Sequence, residues 1–190
     1  MENVIQDNHP VRMLRPNGLA LPEFHLPTEY SLRPYTPGDE AHWVALHAEA
    51  DIHQTVDQSH FDRSFGKDRE VLASRMRFLC HQERVVGTAT AWQDEMGRGQ
   101  VHWVALHPTV QGKGLRKPLL AAILARLAAL GHDGAWLATS SGRIPAINLY
   151  GQFGFSPWIT SEQENVVWHA LQPHLRPYSA LQPNAFVYSS

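Results

Sequence analysis

A chain of 190 residues is long enough to bury one hydrophobic core and too short to argue for two domains. Its 16 lysines and arginines against 18 aspartates and glutamates give a formal net charge of -2, which excludes the large basic surplus of proteins that coat nucleic acid or anionic membranes. The hydrophobic fraction of 43% is that of an ordinary folded domain.

The single cysteine, Cys80, excludes an internal disulfide and a zinc site built from cysteines. No apolar run approaches the roughly 18 residues that a bilayer-spanning helix needs. Residues 1–10 are polar and acidic, unlike a signal peptide. We therefore expect a cytoplasmic protein that binds neither membrane nor nucleic acid.

Proline divides the chain into three segments. Four prolines interrupt the first thirty residues, and proline disfavours helix interiors and sheet ladders. We therefore predict that residues 1–30 form an extended or irregular arm. Residues 171–190 have the same character and are predicted to be an irregular tail, which leaves residues 31–170 as the folded domain.

The first half of that domain is predicted to contain one strand and two helices before a sheet. Residues 30–35 form the strand, and the Thr36-Pro37-Gly38-Asp39 sequence is typical of a helix start. Apolar residues at helical spacing extend this helix to about residue 49. A weak helical stretch near Phe61 and a second helix over about 68–76 follow.

Three strands are predicted next, and the turns between them are short and polar. They cover residues 76–81, 85–92 and 100–107, so an antiparallel meander is expected. A long helix begins after Gly112 and Gly114, with an apolar stripe at three-and-four spacing that ends at Gly131.

The remaining predicted elements are a buried strand at 135–139, a short helix opened by Pro145, and two strands at 155–159 and 165–171. The element order lacks the regular alternation of a doubly wound fold. It predicts an α/β (α+β) protein with a mixed, mainly antiparallel sheet and flanking helices.

The most informative segment is residues 102–114, which read H-W-V-A-L-H-P-T-V-Q-G-K-G. A strand here runs into a glycine-bearing loop that opens the long helix. Backbone N–H groups at a helix N-terminus have no partner inside the helix, and the helix dipole attracts anions there. With Lys113, Arg116 and Lys117 close by, the segment predicts a phosphate cradle. The spacing fits neither a Walker loop nor a dinucleotide fingerprint.

This loop resembles a motif of the GNAT (Gcn5-related N-acetyltransferase) family. The sequence Q-G-K-G-L-R, residues 111–116, is similar to the family's [RQ]-x-x-G-x-[GA] pyrophosphate loop. Residues 104–108 resemble the preceding strand end, and P-A-I-N-L-Y-G-Q-F-G-F, residues 145–155, resembles the helix and turn after the fifth strand. The resemblance covers about residues 31–170.

The resemblance implies a fold in which the fourth and fifth strands splay apart and the acetyl-CoA arm lies in the gap. It implies that this arm pairs with the fourth strand at Val104, Ala105 and Leu106. It also implies that the pyrophosphate lies on the backbone amides of residues Gln111, Gly112, Lys113, Gly114, Leu115, Arg116 and Lys117. Asn148 matches a position that touches the arm, and Tyr150 matches the tyrosine that protonates the leaving thiolate.

One residue departs from the family pattern. Arg116 stands where the family usually has glycine or alanine. We expect its side chain to point outward and to contact the phosphates of CoA. If it instead folds over the loop, the affinity for the cofactor would fall.

The expected reaction is direct transfer of an acetyl group from acetyl-CoA to an amine, with no metal. A tyrosine, whose ordinary pKa is about 10, suits protonation of a thiolate, although Tyr150 also fits an apolar helix stripe. His102 is the candidate base, and His107 is expected to stabilise the loop. Asp94 and the segment 51–66, with Asp51, His53 and His60, are candidates for the acceptor pocket.

Several alternatives stay open at this point. A non-catalytic acyl-CoA-binding sensor or scaffold would need the same loop, and a nucleotide-binding protein is disfavoured by the loop spacing. Histidines 42 and 47 lack metal-ligand spacing, Ser140-Ser141-Gly142 lacks the surroundings of a nucleophile, and Cys80 is expected to be an inert core residue. The acceptor can be a small molecule or a peptide amine, and a homodimer is expected of many proteins that resemble this family.

Overall fold

The computed structural model describes residues 3–21, 23–50 and 55–177, and the backbone of residues 187–188. These residues form two compact units. The central unit comprises residues 23–92 and 101–130, and the terminal unit comprises the described residues within 1–22, 93–100 and 131–190.

The strands and helices alternate irregularly along the chain. The strands are β1 (Pro10–Arg15), β2 (Tyr30–Pro34), β3 (Met76–His81), β4 (Arg84–Gln93), β5 (Gly99–Leu106), β6 (Ala135–Ser140), β7 (Ser156–Ile159) and β8 (Val187–Tyr188). The α-helices are α1 (Glu40–Ala50), α2 (Gln58–Phe65), α3 (Arg69–Arg75), α4 (Arg116–Ala129), α5 (Ile144–Gln152) and α6 (Glu162–Leu171). Short 3-10 turns lie at Pro108–Val110 and Gln172–His174.

In the central unit, the strands lie in the order β2-β3-β4-β5, and β3 is antiparallel to both β2 and β4. In the terminal unit, the order is β6-β1-β7-β8, with β1 antiparallel to β6 and to β7. The first residues of β5 also belong to the terminal unit, where Gln100 pairs in parallel with Trp136 of β6. The predicted fold class, a mixed and mainly antiparallel sheet with flanking helices, is therefore confirmed.

Local sequence explains where the helices begin. Asp57 caps α2 by accepting the His60 N–H, and Asp68 caps α3 by accepting the N–H groups of Glu70 and Val71. The Asp39 carboxylate accepts from Thr36, so the turn closes there and α1 starts at Glu40 rather than near residue 37. These caps satisfy amides that would otherwise lack partners at each helix start.

Aromatic side chains dominate the core of the central unit. Trp43 of α1 packs edge-to-face on Phe61 and Phe65 of α2, at 5.2 and 5.6 Å between ring centroids. The buried cluster continues through Tyr35, Val56, Leu72, Met76, Phe78 and Cys80. Edge-to-face packing of this kind adds to the burial of apolar area, and it fixes α1 and α2 on one face of the sheet.

Two predictions for the terminal unit need correction. Residues 165–171 form no strand, because they belong to α6, whose N-cap Ser161 accepts the Glu164 N–H at 3.2 Å. The irregular arm predicted for residues 1–30 contains β1, which pairs along its whole length with β6. Since β1 also pairs with β7, it lies between β6 and β7.

The tail also differs in part from the irregular chain that was predicted. Residues 172–174 form a 3-10 turn, and β8 pairs in parallel with β7 through Trp158 and Ile159. Residues 178–186 and 189–190 lie outside the described residues. None of the helices in the described part of the chain combines the length and apolar composition that crossing a membrane requires.

Candidate active site

The His107 side chain holds the start of the loop after β5 in place. His107 Nδ1 accepts the Thr109 N–H at 3.2 Å and so caps the short 3-10 turn. Its other ring nitrogen, Nε2, lies 2.6 Å from Glu49 Oε2 and 3.1 Å from Arg84 Nη2. These contacts tie the loop to α1 and β4, which is the stabilising role expected of His107.

The centre of the loop presents five backbone amides that have no acceptor within the described part of the chain. The Gln111 N–H donates to Pro108 O, and the Lys117 N–H donates to Gly114 O, both at 3.2 Å. Among the described residues, nothing accepts from the N–H groups of residues 112–116. Of the predicted cradle at residues 111–117, the amides of Gln111 and Lys117 are therefore engaged within the protein, and those of residues 112–116 remain open.

Glycine is required at two positions of this loop. Gly112 and Gly114 have φ angles of +77° and +79°, a conformation that side-chain-bearing residues rarely adopt. A Cβ built on either glycine meets no atom within 4 Å, so the space beside each is open. Between them and the helix, Leu115 is only 1% exposed and anchors the loop to the core. The loop thus combines a fixed base with an open, amide-rich surface.

Basic side chains surround this surface. Lys113 is exposed, whereas Arg116 and Lys117 are half-buried in the first turn of α4. The Lys117 Nζ lies 5.5 Å from the centre of the Phe24 ring, a cation–π contact. Open amides, a helix N-terminus and three cations form a fitting site for a pyrophosphate group.

The strand that leads to the loop is closely packed on one side. Leu106 O accepts the side-chain amide of Gln111 at 2.9 Å, so this predicted partner of the acetyl-CoA arm is already engaged. Ala105 O lies within 3.2 Å of the Cβ that Gly87 would carry, which shows how closely β4 approaches. Val104 is half-buried.

Earlier in β5, the backbone leaves regular strand geometry. Trp103 has a φ of +50°, which is rare for a bulky residue, especially within a strand. His102 and Trp103, which would face opposite sides of a regular strand, instead have their rings 5.9 Å apart. The His102 ring also lies 5.6 Å from Phe65 and 6.5 Å from Trp92. The bulge therefore adds two consecutive rings to the aromatic cluster.

The predicted base, His102, is thus in an aromatic environment. Burial lowers the pKa of His102 from 6.5 to about 4, because the surrounding rings stabilise the imidazolium ion less well than water does. The imidazole is accordingly neutral at pH 7. It has the form of a base, but one with low affinity for a proton.

The terminal unit holds the other two predicted residues, two positions apart on α5. Asn148 Oδ1 accepts the backbone N–H of Arg176 at 2.7 Å, so this side chain fastens the segment after α6. Tyr150 is 9% exposed, and its ring lies edge-on to Phe155 at 5.9 Å. Its carbonyl accepts the N–H of Phe155, which closes the turn after the helix.

The turn between β6 and α5 is sealed by N-terminal residues. The Ser141 hydroxyl donates to Val4 O, and the Ser141 N–H donates to His9 O at 2.8 Å. A Cβ on Gly142 would lie 2.7 Å from Asn8 Oδ1 and 2.9 Å from the backbone oxygen of Ile5, so a side chain here would force the N-terminal segment to shift. Ser141 is fully buried, which agrees with the absence of nucleophile surroundings in the sequence.

Two of the residues predicted to line the acceptor pocket have structural roles instead. His60 completes the cap of α2 with Asp57, and Asp94 closes the β4–β5 turn by binding Arg98 at 2.8 Å. Asp51 and His53 lie outside the described residues. Across the described ranges, no group of three or more histidine, cysteine, aspartate or glutamate side chains is placed to hold a metal ion.

Two residues of this region were missed in the sequence. Glu49 is an ordinary acidic residue near a helix end, and nothing local marks its contact with His107, which is distant in sequence. Trp103 reads as a strand residue, because a bulge depends on how neighbouring strands pack. Its position directly before the Val-Ala-Leu run was the available signal.

Comparison with known proteins gives the family and the fold. The family model described as Acetyltransferase (GNAT) family matches residues 34–155. A mycothiol acetyltransferase from Pseudarthrobacter chlorophenolicus is 34% identical over 157 residues, which cover 73% of this chain and 46% of the relative. One from Streptomyces bingchenggensis is 33% identical, covering 78% and 51%. The chain spans about half the length of the curated relatives it matches.

Solved structures share the fold at lower identity. A GCN5-related N-acetyltransferase from Sphaerobacter thermophilus has a TM-score of 0.67 at 18% identity, covering 78% of this chain and 48% of that one. A Salmonella typhimurium protein solved with its cofactor acetyl-CoA has a TM-score of 0.55 at 23% identity, covering 68% and 80%. With its strand, glycine loop and helix in the places that the motif predicted, the chain belongs to the GNAT acetyltransferase family.

Proposed function

We propose that this protein transfers an acetyl group from acetyl-CoA to the amine of a small molecule. The observation that carries the proposal is the set of five amides at residues 112–116, which have no acceptor among the described residues and lie beside three cations. Unpaired amides at a helix N-terminus are suited to an anion with several oxygens. The pyrophosphate of acetyl-CoA is such a group, and family membership makes it the expected one.

The direction of β5 determines where the remaining parts of acetyl-CoA would lie. With the pyrophosphate at residues 112–116, an arm running back along the strand passes Leu106, then Ala105, then Val104. An extended arm can pair with strand amides in the way that a neighbouring strand does. The thioester end of the arm then lies next to Trp103 and His102.

The reaction needs three changes at the thioester. The amine nitrogen forms a bond to the acetyl carbon, the bond from that carbon to sulfur breaks, and the amine loses a proton. A β5 backbone N–H at the bulge is suited to stabilise the oxyanion formed on attack. In this proposal, Tyr150 donates its hydroxyl proton to the leaving sulfur, giving free CoA and an amide, and the tyrosine then regains a proton from solvent.

His102 is proposed to receive the amine proton, directly or through water. Its lowered pKa of about 4 keeps the ring unprotonated at neutral pH, as a base must be. The same low pKa makes it a weak base. We therefore propose that it acts on an amine that reaches the site already neutral, and passes the proton on to solvent.

The names of the relatives indicate the general chemical class of the acceptor. Two relatives at 33–34% identity are named mycothiol acetyltransferase, which favours a small-molecule amine over a peptide. Because the chain spans about half of each, we propose small-molecule N-acetylation and include mycothiol-type amines among the candidates.

A non-catalytic acyl-CoA-binding module is the second candidate function. Two observations favour it. The Asn148 side chain is already engaged in holding the segment after α6. His102, with its lowered pKa, is a weak base for catalysis. Such a module would bind acetyl-CoA through the same loop and release no CoA.

One experiment separates the two functions. Acetyl-CoA binding is measured by calorimetry, and free thiol is then measured while acetyl-CoA is mixed with a panel of amines. Binding with amine-dependent thiol release supports the acetyltransferase. Binding without release from any amine supports the module, and the absence of binding would overturn both.

A further inference from the structure

The aromatic cluster around the β5 bulge has a feature that core packing alone does not need. Trp103 keeps a left-handed backbone conformation within a strand, at a cost of roughly 1–2 kcal/mol. The other non-glycine residues with positive φ, Asn8 and Gln82, lie in turns. Strained residues cluster at active sites and ligand clamps, so the side chains that this residue turns are candidates for contact with a ligand.

The bulge turns two rings toward one cluster and leaves part of each open. His102 and Trp103 join Trp92, and all three are half-buried, whereas Trp43 and Phe61 behind them are fully buried. The Trp103 indole N–H donates to Ser64 Oγ at 2.9 Å, so its ring has a fixed orientation. The accessible part of the cluster is therefore a rigid aromatic surface.

One positive charge lies directly beside this surface. The Arg75 guanidinium lies 5.8 Å from the Trp92 ring. Arg69, which lies 5.2 Å from the buried Phe61 ring, is already ion-paired with Glu40 and Asp62. A surface of this kind attracts flat apolar groups and repels molecules with several positive charges.

We propose that the rings of Trp92, His102 and Trp103 form the wall against which the acceptor lies, and that the acceptor is a monoamine carried by an aromatic or other flat apolar group. The inference rests on the proposed function, since the direction of the acetyl-CoA arm along β5 places the thioester beside Trp103. The bulge supplies the wall, and the Arg75 guanidinium beside Trp92 disfavours acceptors with several positive charges.

The test compares acceptors with the same reactive group. The kcat/KM is measured for 2-phenylethylamine, butylamine and spermidine with acetyl-CoA at saturation. We expect 2-phenylethylamine to exceed both other amines by about tenfold or more. Trp92→Leu is expected to reduce this ratio to about threefold or less, with the KM for acetyl-CoA unchanged. Trp103→Leu, next to the proposed thioester position, is expected to reduce the ratio to the same extent.

A matched control keeps the test specific. Trp136 is also a half-buried tryptophan on a strand, but it packs on Trp158 in the terminal unit, so Trp136→Leu should leave the ratio unchanged. Trp92→Leu keeps the test valid if Trp103→Leu fails to fold, because the Trp92 backbone is not left-handed.

The possible outcomes distinguish a failure of the aromatic wall from a failure of the proposed acetyltransferase function. Turnover with a preference for spermidine or butylamine, or an unchanged ratio in the folded tryptophan variants, would overturn the aromatic wall alone. No turnover of 2-phenylethylamine while another amine releases thiol would also overturn the wall alone. The absence of thiol release with every amine of the panel would overturn the acetyltransferase and the wall together.

Discussion

Two turns of this protein have the same local design and opposite surroundings. Each follows a strand, contains glycine and opens a helix: one joins β5 to α4, and the other joins β6 to α5. Gly114 in the first turn has no atom within 4 Å of a Cβ position, whereas Gly142 in the second has Asn8 Oδ1 at 2.7 Å. The same chain element is open in one unit and filled by protein in the other.

The difference teaches what a glycine turn before a helix can do. In the β6–α5 turn, N-terminal residues take the Ser141 hydroxyl and amide, so the turn fixes the start of the helix that carries Tyr150. In the β5–α4 turn, five amides have no acceptor in the described chain. The open turn is suited to binding and the sealed turn to stability.

The largest expected effect is on the chemical step, at the helix that the sealed turn supports. Tyr150→Phe removes the proposed proton donor and keeps the ring against Phe155. We expect kcat to fall about a hundredfold, with little change in the KM for acetyl-CoA. Steady-state kinetics test this, and an unchanged kcat would remove Tyr150 from the mechanism.

The next effect concerns binding at the open turn. Gly114→Val places a side chain in the space proposed for the pyrophosphate and forces a left-handed conformation on a β-branched residue. We expect the KM for acetyl-CoA to rise more than about tenfold, with a stability loss of about 1–2 kcal/mol. Kinetics and urea unfolding measure both, and a normal KM in a folded variant would contradict the cradle.

The matching change at the sealed turn should have the opposite profile. Gly142→Ala places a Cβ against Asn8 and Ile5, so we expect a stability loss of about 2 kcal/mol. The affinity for acetyl-CoA should stay within about twofold of the wild type. Urea unfolding and calorimetry on the same preparation test the pair, and a large loss of affinity without destabilisation would break the comparison.

A smaller effect on stability comes from pH, and it sets the conditions for these measurements. The pKa of His102 is about 4 in the folded protein and 6.5 when exposed, so the unfolded chain binds more protons between these values. Stability should therefore decrease as pH falls from 6.5 to 4, by about 1–2 kcal/mol after allowance for solvent screening of a half-buried ring. In urea unfolding, His102→Gln should reduce this slope, and an identical slope would place the imidazole in a more polar environment.

The smallest effect tests one hydrogen bond of the sealed turn. Ser141→Ala removes the donor to Val4 O while leaving the backbone bond to His9 in place. We expect a stability loss of about 1 kcal/mol with normal kinetics. A change in kcat larger than the change in stability would mean that this turn participates in the reaction.

Local patterns predicted most of the central unit correctly. The strand, glycine loop and helix at residues 100–129 lie within a few positions of their predicted bounds, because glycine placement and the leucine stripe are local signals. The two glycines of the loop also indicated correctly where the open backbone amides lie. The engaged amides of Gln111 and Lys117 could not be read, since their acceptors depend on how the turn closes.

Elements that depend on distant partners were predicted poorly. The strand β1 pairs with β6, whose residues lie more than a hundred positions later, and its flanking prolines suggested an irregular arm. The helix α6 was mistaken for a strand because Val166-Val167-Trp168 favours β structure. The better signal was local, since Ser161 and Glu164 have the spacing of a helix cap.

The central claim is that the backbone amides of residues 112–116 hold the pyrophosphate of acetyl-CoA. The most direct measurement is an amide ¹H–¹⁵N NMR titration of the labelled protein with CoA. We expect the Gly112 and Gly114 signals to move most, in step with saturation, while the Gly142 signal stays in place. Binding of CoA that leaves Gly112 and Gly114 unmoved would contradict the account.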